Sequence, residues 1–239
     1  MAHRISCIAL AAVAVMGAGV AAQAQTVGTA GVPTGFGLAG GVLALSASGS
    51  YGPERNPPAD TTRYDGSGSV LVGFGDPVAG LGVQGGINLT SFRDFGESGY
   101  LSLGVHKMFQ TSEAGVYSVA LNVSHLEPWG DADRLDPGVS LVGSYLTSFG
   151  ERLAMVSLGA ATDTNDARDV EAVFGFGVGL TDTLGVSLGQ VGERTVVGLT
   201  VAPAMLGGNS LSVSVNHNHD TGDNMLVVDL GRAFSLGMK

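Results

Sequence analysis

The chain has 239 residues, a single cysteine, 39 glycines and a formal net charge of -10 at neutral pH. So acidic a balance excludes the basic face that nucleic-acid recognition requires. Glycine in a helix interior costs about 1 kcal/mol relative to alanine, which excludes long helices, and beyond the N-terminus no stretch approaches the roughly 18 apolar residues of a membrane helix.

In chain order, "MAHRISCIALAAVAVMGAGVAAQAQ" opens with one arginine, Arg4, continues as an apolar run and closes on Ala22-Gln23-Ala24, the small-x-small pattern of a secretory cleavage site. A signal peptide over residues 1–24 is therefore expected, removed on export together with Cys7. The mature chain would then have no disulfide to rely on. A flexible N-terminal segment is expected over 25–34, followed by one β domain over 35–239.

Within that domain the apolar residues recur with period two, as on a strand whose successive side chains point to opposite faces. In "VAGLGVQGGINLT" (78–90) Ala79, Leu81, Val83, Ile87 and Leu89 share one face, and Gly80, Gly82, Gln84, Gly86 and Asn88 the other. "LSVSVNHNH" sets Leu211, Val213 and Val215 against Ser212, Ser214 and Asn216 in the same way. Strands are predicted at 35–48, 69–75, 78–90, 99–109, 115–126, 138–149, 152–161, 170–180, 184–191, 195–202, 211–219 and 225–236. That makes about twelve, with ten or eight as the alternatives.

The connections alternate long and polar (49–68, 91–98, 127–137, 162–169) with short (76–77, 110–114, 150–151, 181–183), and only 203–210 breaks the order. Of the 21 acidic residues, nearly all fall in connections, the strand exceptions being Glu171 and Asp229. Asp229 has the parity of the small residues. Lys107 and Arg232 have the parity of the apolar ones but lie near strand ends, where a long stem can reach out of an apolar layer.

A soluble sandwich and a lipid-embedded barrel both produce such alternation. Two further patterns separate them. Phe92, Phe95, Tyr100 and Trp129, with Tyr51 and Tyr64, cluster at the long-loop strand ends, and Phe74, Phe109, Tyr117, Tyr145, Phe149 and Phe234 at the other ends. Two bands of rings and a side-to-side loop asymmetry are expected of a membrane barrel. A secreted β-sandwich adhesin leaves both without a cause.

On this pattern the chain resembles the Gram-negative outer-membrane β-barrel proteins, the broad porin-like class. The resemblance implies an all-β, antiparallel, up-and-down transmembrane barrel in the outer membrane. Its partners would be outer-membrane lipids and the barrel-insertion machinery. The last aromatic, Phe234, is followed by "SLGMK", a departure from barrels that end on an aromatic residue.

The inward stripe is small, with Gln84, Asn88, Asn122, Asn216 and Asp229 its larger polar members, so a partly hollow, wet lumen is expected. A narrow porin-like channel for small solutes follows, with a weak cation preference from acidic loops at its mouth. A structural or surface-interaction barrel without transport is the alternative. His217, His219 and Asp220 are weak metal candidates, since a lone His-x-His lacks further ligands in fixed register. The acidic loops suggest divalent cations as surface partners. No catalytic residue, cofactor site or specific metal site is expected, and hence no enzyme.

Overall fold

Period-two segments of this kind form strands because alternate side chains can then meet two different media. Twelve of them form in the computed structural model, which describes residues 27–29, 31–52, 64–92, 95–111, 115–150, 152–162, 169–202 and 209–237. They are β1 (Val42–Tyr51), β2 (Tyr64–Gly75), β3 (Gly82–Leu89), β4 (Gly99–Thr111), β5 (Gly115–Trp129) and β6 (Gly138–Phe149). The second half comprises β7 (Arg152–Thr162), β8 (Val170–Gly179), β9 (Leu184–Val191), β10 (Arg194–Val201), β11 (Asn209–Asn218) and β12 (Asn224–Ser235). A short 3-10 turn, Gly130–Arg134, is the one helical element among the described residues.

Each strand pairs antiparallel with its sequence neighbours, and β1 pairs with β12 from Val42↔Ser235 to Tyr51↔Leu226, closing the sheet. Closure satisfies every strand edge, so no row of backbone donors and acceptors is left open. Among the described residues there is no second sheet to pack against. The sandwich architecture is thereby excluded.

Outward side chains are exposed and apolar on every strand, from Leu45 on β1 through Ile87, Leu121, Leu158 and Leu199 to Leu230 on β12. Soluble monomers rarely expose continuous apolar patches beyond a few hundred Å². This belt encircles the whole barrel.

Several predicted boundaries move for local reasons. The 78–90 segment enters the sheet only at Gly82, because Asp76 Oδ1 accepts hydrogen bonds from Val78 N (2.8 Å) and Ala79 N (3.0 Å) and holds 76–81 as a turn. β9 and β10 stay separate, joined by a tight turn in which Gly192 has a φ of 54°. β5 runs on to Trp129 through register shifts against β4, with left-handed backbone at His125 (φ 54°) and Glu127 (φ 44°). The segment expected as a signal peptide lies outside the described residues, as do 53–63 of the loop expected over 49–68.

The first strand begins at Val42 instead of near 35, and of the segment expected over 25–34, residues 25, 26 and 30 lie outside the described ones. Residues 27–29 and 31–41 form a strap inside the barrel. Val27 lies against Gly177 of β8, Thr29 on Gly175, Val32 on Gly189 of β9, and Gly31, with φ +70°, turns the chain beside Val196 of β10. The strap then crosses to Ser118 and Ser144 at Gly35, to His106 and Gln84 at Gly37, and to Gly73 and Gly75 at Leu38–Gly40.

Register explains why the strap fits. Ser118, Ser144, Ser157, Gly175 and Gly189 are successive cross-strand partners from β5 to β9, so one inward row carries almost no side chain. A Cβ at Gly175 would meet Thr29 Cγ2 at 2.8 Å. Next to this trough, Val142, Val173, Val191 and Val196 bury Val32 in a dry apolar cluster. Full burial of a valine side chain contributes roughly 2 kcal/mol. The core therefore sits within the barrel, where the strap takes up this side of the lumen that was expected to be partly hollow.

Candidate functional site: the barrel lumen

Two unlike halves make up the interior. In the filled half, polar wall groups hold the strap backbone. Gly35 N donates to Ser144 Oγ at 2.8 Å and Ser118 Oγ donates to Gly35 O at 2.5 Å. Ser144 and Ser157 hydroxyls meet at 2.7 Å, and Gln84 Oε1 accepts from Leu38 N at 2.8 Å. Lower down, Gly40 N and Gly41 N donate to Gly75 O and Gly73 O, extending the ladder beside β2.

In the other half the wall comes from β1, β2, β10, β11 and β12. One register row reads Ser69, Ser46, Gly231, Ser210, and the next Ser67, Ser48, Asp229, Ser212, Thr200. The hydroxyls pair laterally, Ser46 with Ser69 at 2.6 Å and Thr200 with Ser212 at 2.9 Å. Ser46 lies mid-strand on the inward face and is nonetheless exposed, so the described residues do not fill the interior along this side. Asp229, half-buried, projects from mid-strand into the same hydroxyl track. No hydrogen bond or ion pair ties it down among the described residues.

No protein-family model matches the chain, and neither does any curated protein sequence. Among solved structures it is similar to a KdgM porin, alone and in complex with disordered oligogalacturonate. Both superpose with a TM-score of 0.54 at 6% identity, over 80% of this chain and 99% of that one. An outer membrane channel from Pseudomonas putida F1 aligns at 0.48 and 12% identity, over 82% and 96% of the two chains. The fold is that of a porin.

On this porin-type barrel all five polar side chains expected to line the lumen face inward; Asp229 lies in the open half, and Asn88 extends the same wall as the cross-strand partner of Ser69. Gln84 and Asn122 are brought together, Gln84 Nε2 donating to Asn122 Oδ1 at 3.5 Å, and Asn88 Nδ2 donates to Ser102 Oγ at 2.9 Å. Asn216 is drawn toward the strap near Gly31, its Oδ1 buried without a hydrogen-bond partner. His106, not among the residues expected to line the lumen, is 2% exposed beside Gly37 and Gly82, with both ring nitrogens unpartnered among the described residues. Its parity, opposite to the outward Lys107, was the available signal.

The expected aromatic bands occupy the outer face with one correction. Phe92 lies over Gly66 and Gly68 and 6.3 Å from Phe95; Trp129 covers Gly99 and donates through Nε1 to Gly96 O at 3.1 Å. At the opposite end Phe109, Tyr117 and Tyr145 are cross-strand partners, with Tyr117 and Tyr145 stacked at 4.2 Å. Phe74 and Phe149 are exposed there too, and Arg232 covers the Phe234 ring at 4.6 Å. Tyr100 is the correction. It has the parity of Ser102 and Gly104 and turns inward, its ring 4.0 Å from that of His125. Phe174 and Phe176, exposed on β8, are further outward rings that the sequence reading did not single out.

The weak metal candidates are occupied with other partners. His217 Nδ1 pairs with Asn224 Oδ1 at 3.0 Å, and His219 Nε2 with Thr195 Oγ1 at 2.7 Å. Among the described residues no group of three metal-type side chains converges. At the short-turn end, Lys107 Nζ donates to Val78 O at 2.9 Å. Hydrogen bonds from Ala79 and Val78, helped by this ammonium, hold the Asp76 carboxyl below the ordinary carboxylate range.

Proposed function

We propose that this protein is an outer-membrane channel of the porin type, passing small solutes with a weak preference for cations. The observation that carries the reading is the hydroxyl track with Asp229 at mid-strand, inside a barrel whose outside is apolar all round. Serine and threonine hydroxyls replace part of a solute's hydration, and an untied carboxylate raises the local concentration of cations. Acyl chains against the outer belt, and export by cleavage of residues 1–24, belong to the same proposal.

The oligogalacturonate in the KdgM complex is an acidic saccharide, and this lumen is of the wrong sign for one. Between their ends the described strands carry no inward lysine or arginine; Lys107 and Arg232 both face out. Small neutral or cationic solutes are therefore proposed instead.

One observation favours a second reading, a structural barrel without transport: the strap fills the β3–β10 side of the lumen. Planar-bilayer recording of the purified, heat-modifiable protein separates the two. Discrete conductance steps with a cation-directed reversal potential are expected in a salt gradient. A silent bilayer would leave the structural reading.

A further inference from the structure

Eight-stranded barrels fill their interior with their own side chains, and lumen width grows with strand number. A twelve-stranded barrel has more room than this. Here the inward row from Ser118 to Gly189 is cut back to hydroxyls and hydrogens, which widens the lumen further. The space does not become an open pore, because the chain's own N-terminal strap lies in it.

The strap is suited to that place by chemistry as well as size. From Val27 to Gly41 it contains no ionisable residue, so it enters the interior without a charge to desolvate. Val27, Thr29, Val32 and Gly35 are buried against the trough, while Thr34 and Phe36 are half-buried, away from full wall contact. Wall hydroxyls and the Gln84 amide satisfy backbone groups at Gly35 and Leu38 that would otherwise lack partners.

The geometry points to the strap as the size-selecting element of the channel: the wall provides the hydroxyl track, and residues 27–38 set how wide a solute can pass beside it. The trough from β5 to β9 is, in chemical terms, a binding site for an extended, uncharged backbone of small residues, filled in cis. This inference rests on the channel reading above and fails differently from it.

Deletion of residues 27–36, keeping the segment that precedes them and the Gly40–Gly41 ladder, tests it in the full barrel. A severalfold rise in single-channel conductance is expected, with entry of larger neutral polymers than the wild type admits. Equal conductance and exclusion limit in a heat-modifiable deletion variant would overturn the proposal. Silence in both wild type and variant would count against the channel itself.

A second test reads position independently of current. A Cβ built at Gly189 lies 3.3 Å from Val32 Cβ, near the roughly 3.5–4.5 Å separation of disulfide Cβ atoms. Val32→Cys with Gly189→Cys should therefore crosslink within one chain on oxidation. Thiols that stay open to alkylation after oxidation would overturn the placement. If the deletion yields no heat-modifiable barrel, Phe36→Ala carries the conductance test. It removes the largest strap side chain and keeps the Gly35 and Leu38 hydrogen bonds, so conductance should rise; an unchanged value would sink the size-filter role.

Discussion

Gly35 N donates a 2.8 Å hydrogen bond to Ser144 Oγ, joining positions 109 residues apart in sequence across the inside of the barrel. The same hydroxyl meets Ser157 Oγ at 2.7 Å, so Ser144 links the strap to β6 and β7 at once. Ser144→Ala adds no volume to this packed row but leaves the buried Gly35 N–H unpaired. A loss of about 1–3 kcal/mol is expected from that orphaned donor. Urea unfolding in detergent, followed by the mobility shift between unheated and boiled samples, would measure it; a variant as stable as the wild type would show the strap contact to be energetically idle.

Asp229 carries the selectivity expected of the open half. Its neighbours in register are Ser48 and Ser212, both uncharged, so one substitution changes the sign of the mid-wall field without disturbing an ion pair among the described residues. Asp229→Asn should lower the cation-to-anion permeability ratio toward unity, and Asp229→Lys should invert it. The zero-current potential in a tenfold salt gradient reports both. If all three proteins give one reversal potential, the passage does not run along this wall.

Strand number and facing were legible in the sequence because a two-residue period is a local property: Leu211, Val213 and Val215 need no distant information to share a face. Tyr100 was legible on the same grounds, since it alternates with Leu101 and Leu103; grouping it by its place at a strand end misplaced it. The strap was not legible. "TVGTAGVPTG" has no period and carries the Gly and Pro of a loop, and what receives it is a row of five residues from five strands that only register brings side by side. Small inward residues predicted space in the lumen, and nothing within their own strands indicated that residues 27–29 and 31–41 would occupy it.

The apolar belt gives a depth-dependent expectation. Leu121 and Leu141 are cross-strand partners on the outer face of β5 and β6, both exposed and both far from the strand ends. Arginine at Leu121 would place a charge where lipid is thickest, at about 2–4 kcal/mol, whereas Phe149→Arg, on the last residue of β6, should cost about 0–1 kcal/mol. Folding titrations into phosphatidylcholine vesicles would compare them. Equal cost at both depths would mean that the belt does not face acyl chains.

Asp76 provides the pH prediction. Its carboxylate accepts from Ala79 N and Val78 N and lies near Lys107, and these interactions depress its folded pKa below the unfolded value. A depressed acid stabilises the fold fully above the unfolded carboxyl pKa, near 3.9, and the contribution is lost as pH falls through the lower folded value. Stability of the β2–β3 turn should thus be flat from neutrality down to about pH 5 and decline below roughly pH 4 as the carboxylate gains its proton. Asp76→Asn keeps a side-chain acceptor for the two backbone donors but removes the titration. The wild type should therefore lose more stability than the variant between about pH 5 and pH 3, a window set by the ordinary carboxyl pKa. Hydrogen exchange at Val78 and Ala79 over that interval would read the difference where it arises, and parallel acid profiles for the two proteins would remove Asp76 as its source.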